Sequence, residues 1–241
     1  MTHAALSASS LYKTYGSGEG EVRAMQNVSF AVQPGEVVAL VGPSGSGKST
    51  LLTALGFLNL PDRGIISVAG VPVVRDGVAL QDLAELRRSR LGFVFQRSNL
   101  VPFLTAVENV ALALTINDVT ARDAKKRAHG LLAYLGLGDR GDAFPEQLSG
   151  GQQQRVAIAR ALAMDPPVVL ADEPTAALDG PRSRDVMQLF RRIAHERGAA
   201  VVVVTHDHRV LSAFDGLHEM QDGVLSERTV PEGALEQRAV A

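Results

Sequence analysis

The sequence predicts an α/β fold: a core with a mainly parallel sheet, an N-terminal antiparallel β subdomain and an inserted α-helical subdomain. Three observations carry this. The apolar run Glu36–Val41 leads directly into a glycine-rich loop and then a helix. Strand and helix alternate again from Pro167 onward. Between these stretches, residues 97–163 read as helical. Alternating βα units at both ends with helices set between them make a parallel core with a helical insert.

Taken in order, residues 6–31 carry short β-like pieces around the loop Gly16-Ser17-Gly18-Glu19-Gly20. Val28, Phe30 and Val32 alternate with polar or small residues, as a half-buried strand does. Pro34-Gly35 is a turn, and the β-branched run through Val41 is a buried strand. Leu51–Leu55 opens a helix, and Pro61-Asp62-Arg63-Gly64 breaks the chain. Residues 65–74 form a hairpin through Ala69-Gly70, and Leu80–Arg90 is a charged helix leading to a strand at Leu91–Phe95. The helical insert has breaks at Pro102, Gly136–Gly138 and Pro145. Then follow a strand at Val168–Ala171, a helix at Arg182–Arg197 and a strand at Ala200–Thr205. One domain spans residues 6–230. From Val224 the chain reads as polar after a last short strand, with residues 231–241 as a polar tail.

Composition sets limits. Hydrophobic residues make up 46%, enough for a sizeable core, and the net charge of −2 gives no sign of bulk binding to nucleic acid or an acidic membrane surface. With no cysteine, disulfides and thiolate metal sites are excluded. The first ten residues lack the charged and apolar regions of a signal peptide. No apolar run approaches the ~20 residues of a membrane helix. The reading is a cytoplasmic chain; membrane work would need a second chain to do the spanning.

The loop Gly42-Pro43-Ser44-Gly45-Ser46-Gly47-Lys48-Ser49-Thr50 fits G-x-x-x-x-G-K-[ST] in its required strand–loop–helix context. Its glycines let backbone N–H groups face a phosphate, and the helix N-terminus adds partial positive charge. Lys48 would reach the β- and γ-phosphates, and the Ser49 hydroxyl would ligate Mg²⁺. This makes the core a phosphate-loop NTPase. The strand Val168–Ala171 ends in Asp172-Glu173. Alone, that is also a solvated acidic turn; beside a phosphate loop, Asp172 fits the metal shell and Glu173 a general base. Ser149-Gly150-Gly151-Gln152 opens a helical run. It is either an ordinary Ser cap or a second anion-binding helix end, and a second one suggests a partner's nucleotide.

These pieces, with Gln96 at a strand end, Leu178-Asp179 and Thr205-His206-Asp207, come in the order of the nucleotide-binding subunit of an ATP-binding cassette (ABC) transporter, which the chain resembles along nearly its whole length. Leu148–Gln152 is the discriminating match, being the family's signature. Phe95-Gln96, residues 99–106 and Glu108-Asn109-Val110 resemble the group that drives lipoprotein release, macrolide efflux and related export. The resemblance implies ATP hydrolysis with Mg²⁺ and two copies head to tail. Each ATP would lie between one chain's phosphate loop and the other's Ser149–Gly151, and a separate membrane permease would be driven at the inner face of the cell membrane. It implies that Gln96 joins the Mg²⁺ shell, Tyr15 stacks on adenine (Tyr12 is the alternative), His206 contacts the γ-phosphate and Asp179 crosses the dimer interface. Ala177 departs from the serine of many relatives.

The segment Asn99–Thr105 reads as part of a permease-docking groove, because Leu100, Val101, Phe103 and Leu104 cluster just after Gln96. The alternative is that they pack the insert onto the core. An alternative for the whole chain is a soluble ABC ATPase without a permease, serving cluster assembly or nucleic acid. A further one is a pseudo-ATPase switch, against which Glu173 and His206 argue.

Overall fold

A computed structural model describes residues 3–228. The tail of residues 231–241 lies outside them.

The central sheet has six strands. Their ranges are Val37–Val41 (β3), Leu91–Val94 (β7), Val168–Asp172 (β8), Ala200–Val204 (β9), Gly216–Gln221 (β10) and Val224–Arg228 (β11). The order is β11-β10-β3-β9-β8-β7. All neighbours are parallel except β10 and β11. Every residue of β3 and β9 is buried, as unbroken apolar strands must be when both sheet faces are covered. Alternation then sends side chains into two cores. Val37, Ala39, Val41, Val169, Ala171, Val201 and Val203 join the helical side. Val38, Leu40, Val168, Leu170, Ala200 and Val202 join the other side, with helix α1 (Lys48–Leu55) and the N-terminal sheet.

That N-terminal sheet is antiparallel. Its strands are Leu6–Tyr15 (β1), Val22–Val32 (β2), Arg63–Val68 (β4), Val71–Arg75 (β5) and Val78–Ala79 (β6), in the order β2-β1-β4-β5-β6. The short pieces read in residues 6–31 are two long strands, interrupted in the pairing by register shifts after Ala8, Leu11 and Lys13. Helix α2 (Leu83–Arg90) is capped by Asp82, which accepts from the N–H groups of Ala84 and Glu85. The insert between β7 and β8 holds α3 (Ala106–Thr115), α4 (Ala121–Tyr134) and α5 (Gly150–Ala161). Helix α6 (Gly180–Arg197) covers the helical face of the core.

The segment after Val224 departs from its reading as a polar tail. Residues 224–228 pair with β10 through an Asp222-Gly223 turn whose φ angles are 48° and 79°. Asp-Gly with two left-handed residues is a preferred two-residue hairpin turn. It binds a strand whose outward face is polar, which is why the segment lacks a buried-strand signature. Among the described residues no helix is long and apolar enough to cross a membrane.

Candidate active site

Strands β3, β9, β8 and β7 are parallel neighbours, so their C-terminal ends meet at one edge of the sheet. Ligands of open α/β sheets bind outside such ends. There β3 delivers Gly42–Thr50, β9 delivers His206, β8 delivers Asp172-Glu173 and β7 delivers Gln96.

The loop has no room for side chains at two glycines. At Gly42 (φ 141°) a β-carbon would lie 2.1 Å from the Met220 carbonyl oxygen, and at Gly47 (φ 107°) 2.2 Å from that of Ala24. Helix α1 starts at Lys48 with Gly47 as its cap and no side chain accepting from its first-turn N–H groups. Those donors are left open to an anion. The Ser46 hydroxyl is buried without a hydrogen-bond partner. Pro43, Ser44, Gly45 and Ser49 are exposed, and Thr50 is half-buried.

Lys48 is buried, and its Nζ donates to the carbonyls of Gly42 (2.9 Å) and Pro43 (2.7 Å). Burial lowers its pKa, while the charges of Glu173 and Asp172 work the other way. Burial, with the Glu173 charge, raises the Asp172 pKa, and Lys48 partly offsets this. Glu173 sits in the left-handed region (φ 46°), and its N–H donates to the Val204 carbonyl at 2.9 Å. Its Oε1 lies 2.9 Å from His206 Nδ1. A strained, non-glycine backbone at such a position is what pre-organised sites hold.

Above the loop opens a cavity of about 820 Å³, large enough for a nucleotide. It brings together Tyr15, Gly42–Gly45, Gly47–Thr50, Glu173 and His206. Tyr15 and Tyr12 are about equally exposed, but only Tyr15 lines this cavity. The Tyr15 hydroxyl pairs with Asn59, and Lys13 Nζ stands 5.7 Å from its ring centre. Val22, Ala24, Glu219 and Arg228 also line it, although nothing in their local sequence marks them. The fold alone brings them there.

Other candidates stand outside the cavity. Asp172 faces it only through its charge on Lys48. Gln96 is exposed and lines a separate recess of about 390 Å³ with Gly150, Pro174 and Ala177. Ser149 caps α5: its Oγ accepts from the Gln152 N–H at 3.3 Å, and Gln152 Oε1 accepts from the Ser149 N–H at 2.9 Å. Gly151 is half-buried at that helix start. Helix α5 is fastened to the Gln96 segment. Gln154 donates to the Phe95 carbonyl at 3.2 Å, and the Arg160 guanidinium donates to the carbonyls of Ser98 and Asn99 at 2.8 Å each. Asp179 is exposed and caps α6 by accepting from the Arg182 N–H at 3.0 Å.

A phosphate-cradling loop at the head of a parallel sheet, beside a carboxylate–imidazole pair, defines the class: a phosphate-loop nucleotide hydrolase. The sequence matches the family described as ABC transporter over residues 25–176. An ABC transporter ATP-binding protein of Thermotoga maritima is 49% identical over 213 residues, covering 88% of this chain and 90% of that protein. The macrolide export ATP-binding/permease protein MacB of Hyphomonas neptunium is 42% identical over 238 residues, covering 98% of this chain but 36% of MacB. The chain thus spans about a third of that relative's length. Among solved structures, the dimeric post-hydrolysis state of the ATP-binding cassette MJ0796, bound to ADP and Pi, matches with a TM-score of 0.82. Its identity is 40%, and the match covers 93% of this chain and 98% of that one. The chain belongs to the ABC transporter family, as an ATP-binding, ATP-hydrolysing cassette.

Proposed function

We propose that two copies of this chain close head to tail on two ATP molecules and that closure drives a separate membrane permease in export or release from the membrane. The observation that carries the dimer is that Ser149–Gln152 lies outside the cavity that Lys48 lines in its own chain. A signature placed there reaches a γ-phosphate only if a second chain brings one. MJ0796 is described as a dimer with ADP and Pi, and MacB by its name joins ATP-binding and permease functions. The export assignment is supported by the MacB relatives.

In this reading Tyr15 stacks on adenine, and the N–H groups of Gly42–Thr50 with Lys48 hold the phosphates. Glu173 takes a proton from the attacking water. The water oxygen bonds to the γ-phosphorus as the bond to the β–γ bridging oxygen breaks, leaving ADP and phosphate. His206, held at 2.9 Å from Glu173, donates to the γ-phosphate. Ser49, Asp172 and Gln96 would hold Mg²⁺, which would supply neutralising charge at the phosphate oxygens. Ser49 and Asp172 fit that ion by their chemistry: Mg²⁺ at a nucleotide needs only one or two protein carboxylates, and the half-buried Asp172 beside Glu173 has a charge that a cation would relieve. Gln96, which lines a separate recess, would have to move to join them. Ser149, Gly150, Gly151 and Gln152 face the partner's nucleotide, and Asp179 the partner's surface.

A mixing experiment tests the dimer. Ser149→Arg and Lys48→Ala chains should each be inactive alone, because each damages both composite sites. Mixed, they should regain part of the activity, because one site of the heterodimer keeps an intact loop and an intact signature. Full activity in homogeneous Ser149→Arg would reject the composite site.

For the permease, the exposure of one residue in the segment Asn99–Thr105 supports a docking role. Leu100 packs against the core, and buried Asn109 pins the segment by bonding to Val101, Leu104 and Thr105. Phe103 alone of the four apolar residues stands out, at 76% exposed. A large aromatic on a pinned loop is a rigid anchor for a partner. Phe103→Ala should leave basal ATPase within about 2-fold and weaken permease co-purification by about 10-fold or more, as loss of a ≥ 2 kcal/mol anchor does. Unchanged assembly and transport would rule out the anchor.

A further inference from the structure

The turn after β9 carries charges that the mechanism above leaves unused. Thr205 is buried, and its Oγ1 accepts from the Asp207 N–H at 3.0 Å. The Asp207 carboxylate, only 10% exposed, accepts three times from Arg209. The backbone N–H reaches Oδ1 at 3.0 Å, Nε reaches Oδ1 at 2.8 Å and Nη2 reaches Oδ2 at 2.8 Å. This is the two-pronged carboxylate geometry that fixes a guanidinium plane. His206 lies between the two anchored residues, so its turn is held on both flanks.

The free edge of the guanidinium points to another element. Arg209 Nη1 lies 3.6 Å from where a β-carbon on Gly180 would stand, against the start of α6. Asp179 caps that helix start, and its charge also acts on Arg209. A helix-capping role for this turn would need only the backbone N–H of Arg209, which Asp207 already accepts. The side chain reaching across to α6 is therefore unexplained by capping.

We propose that Arg209 is a positioning residue that ties the His206 turn to the Asp179 turn, so that hydrolysis responds to the state of the loop facing the second chain. This rests on the dimer reading above. It uses no contact of Arg209 with ATP. When Asp179 shifts as the chains close, the guanidinium carries the shift through Asp207 to His206, and His206 is bonded to Glu173. From Arg209 to Asp207 and from His206 to Glu173 the coupling runs through hydrogen bonds, and from Asp179 to Arg209 it runs through charge and the approach of Nη1 to the start of α6.

The test is steady-state ATPase of the full chain, with ATP affinity and melting temperature measured alongside. Arg209→Ala should lower kcat roughly 2- to 30-fold. KM and ATP affinity should hold. The melting temperature should fall, because Asp207, only 10% exposed, loses the guanidinium that pairs it, so kcat is read well below the variant's melting temperature. Arg209→Lys should recover only part of kcat, since an ammonium cannot make both carboxylate bonds in one plane. Arg209→Ala combined with Asp179→Ala should lose less than the product of the single effects. A lowered melting temperature with normal kcat would leave only a cap and overturn the proposal. So would parallel loss of ATP affinity, or double-mutant losses that simply multiply. Failure of the dimer reading shows separately, as wild-type ATPase per chain that is independent of protein concentration; the tie then has nothing to report, and the proposal falls with it.

Discussion

Lys48→Ala is expected to abolish ATP binding, with affinity falling about 10²-fold or more. Hydrogen bonds from a charged donor are worth ~1.5–3 kcal/mol each, and this ammonium would make more than one to the β- and γ-phosphates. The structure gives two further reasons for a large effect. Lys48 is the cation that offsets the paired charges of Asp172 and Glu173, so its loss leaves those carboxylates facing an incoming polyanion. Its Nζ also holds the Gly42 and Pro43 carbonyls, whose removal as partners loosens the loop that should cradle the phosphates. Equilibrium binding of ATP to the purified variant checks this, with the melting temperature showing that the chain still folds. Unchanged affinity would mean that the phosphates bind elsewhere.

The parts of this site that were legible in the sequence are those whose chemistry is local. A strand, a glycine loop and Lys-Ser at fixed spacing specify their own geometry, and Gly42 and Gly47 turn out to have no space for a β-carbon. Asp172-Glu173 and His206 were legible because each ends a strand that is apolar along its whole length. What was not legible depends on which chain segments meet. Tyr12 and Tyr15 are the same residue type three positions apart on β1, and only the folded arrangement shows that Tyr15 is the one that lines the cavity. Glu219 and Arg228 line the cavity only because a hairpin folds β11 back along β10, in a stretch whose polarity hides a strand. Leu100 and Phe103 look alike in sequence, yet one packs inward and the other faces out. Asn109, a polar residue inside an apolar helix, decides this by holding the loop's backbone.

Glu173→Gln should still bind ATP but hydrolyse it about 10²–10⁴-fold more slowly, the usual effect of losing a general base. The substitution isolates the proton-accepting oxygen. Glutamine keeps the side chain's size, fits the same left-handed backbone about as well as glutamate, and can still meet His206 Nδ1 through its amide. It cannot take a proton from water. ATP bound in this way keeps its γ-phosphate, and in the dimer reading that phosphate is what holds the two chains together. The variant should therefore accumulate as an ATP-dependent dimer, while the wild type passes through that state and opens. Size-exclusion chromatography with and without ATP reads the shift directly, and a turnover assay reads the rate. Two results together identify Glu173 as the base: slow turnover and a dimer that persists with ATP. Normal turnover would move the base elsewhere. Slow turnover without a dimer would leave Glu173 catalytic but remove the γ-phosphate as the bridge, because a closed state held by that phosphate has to persist when the phosphate is not cleaved.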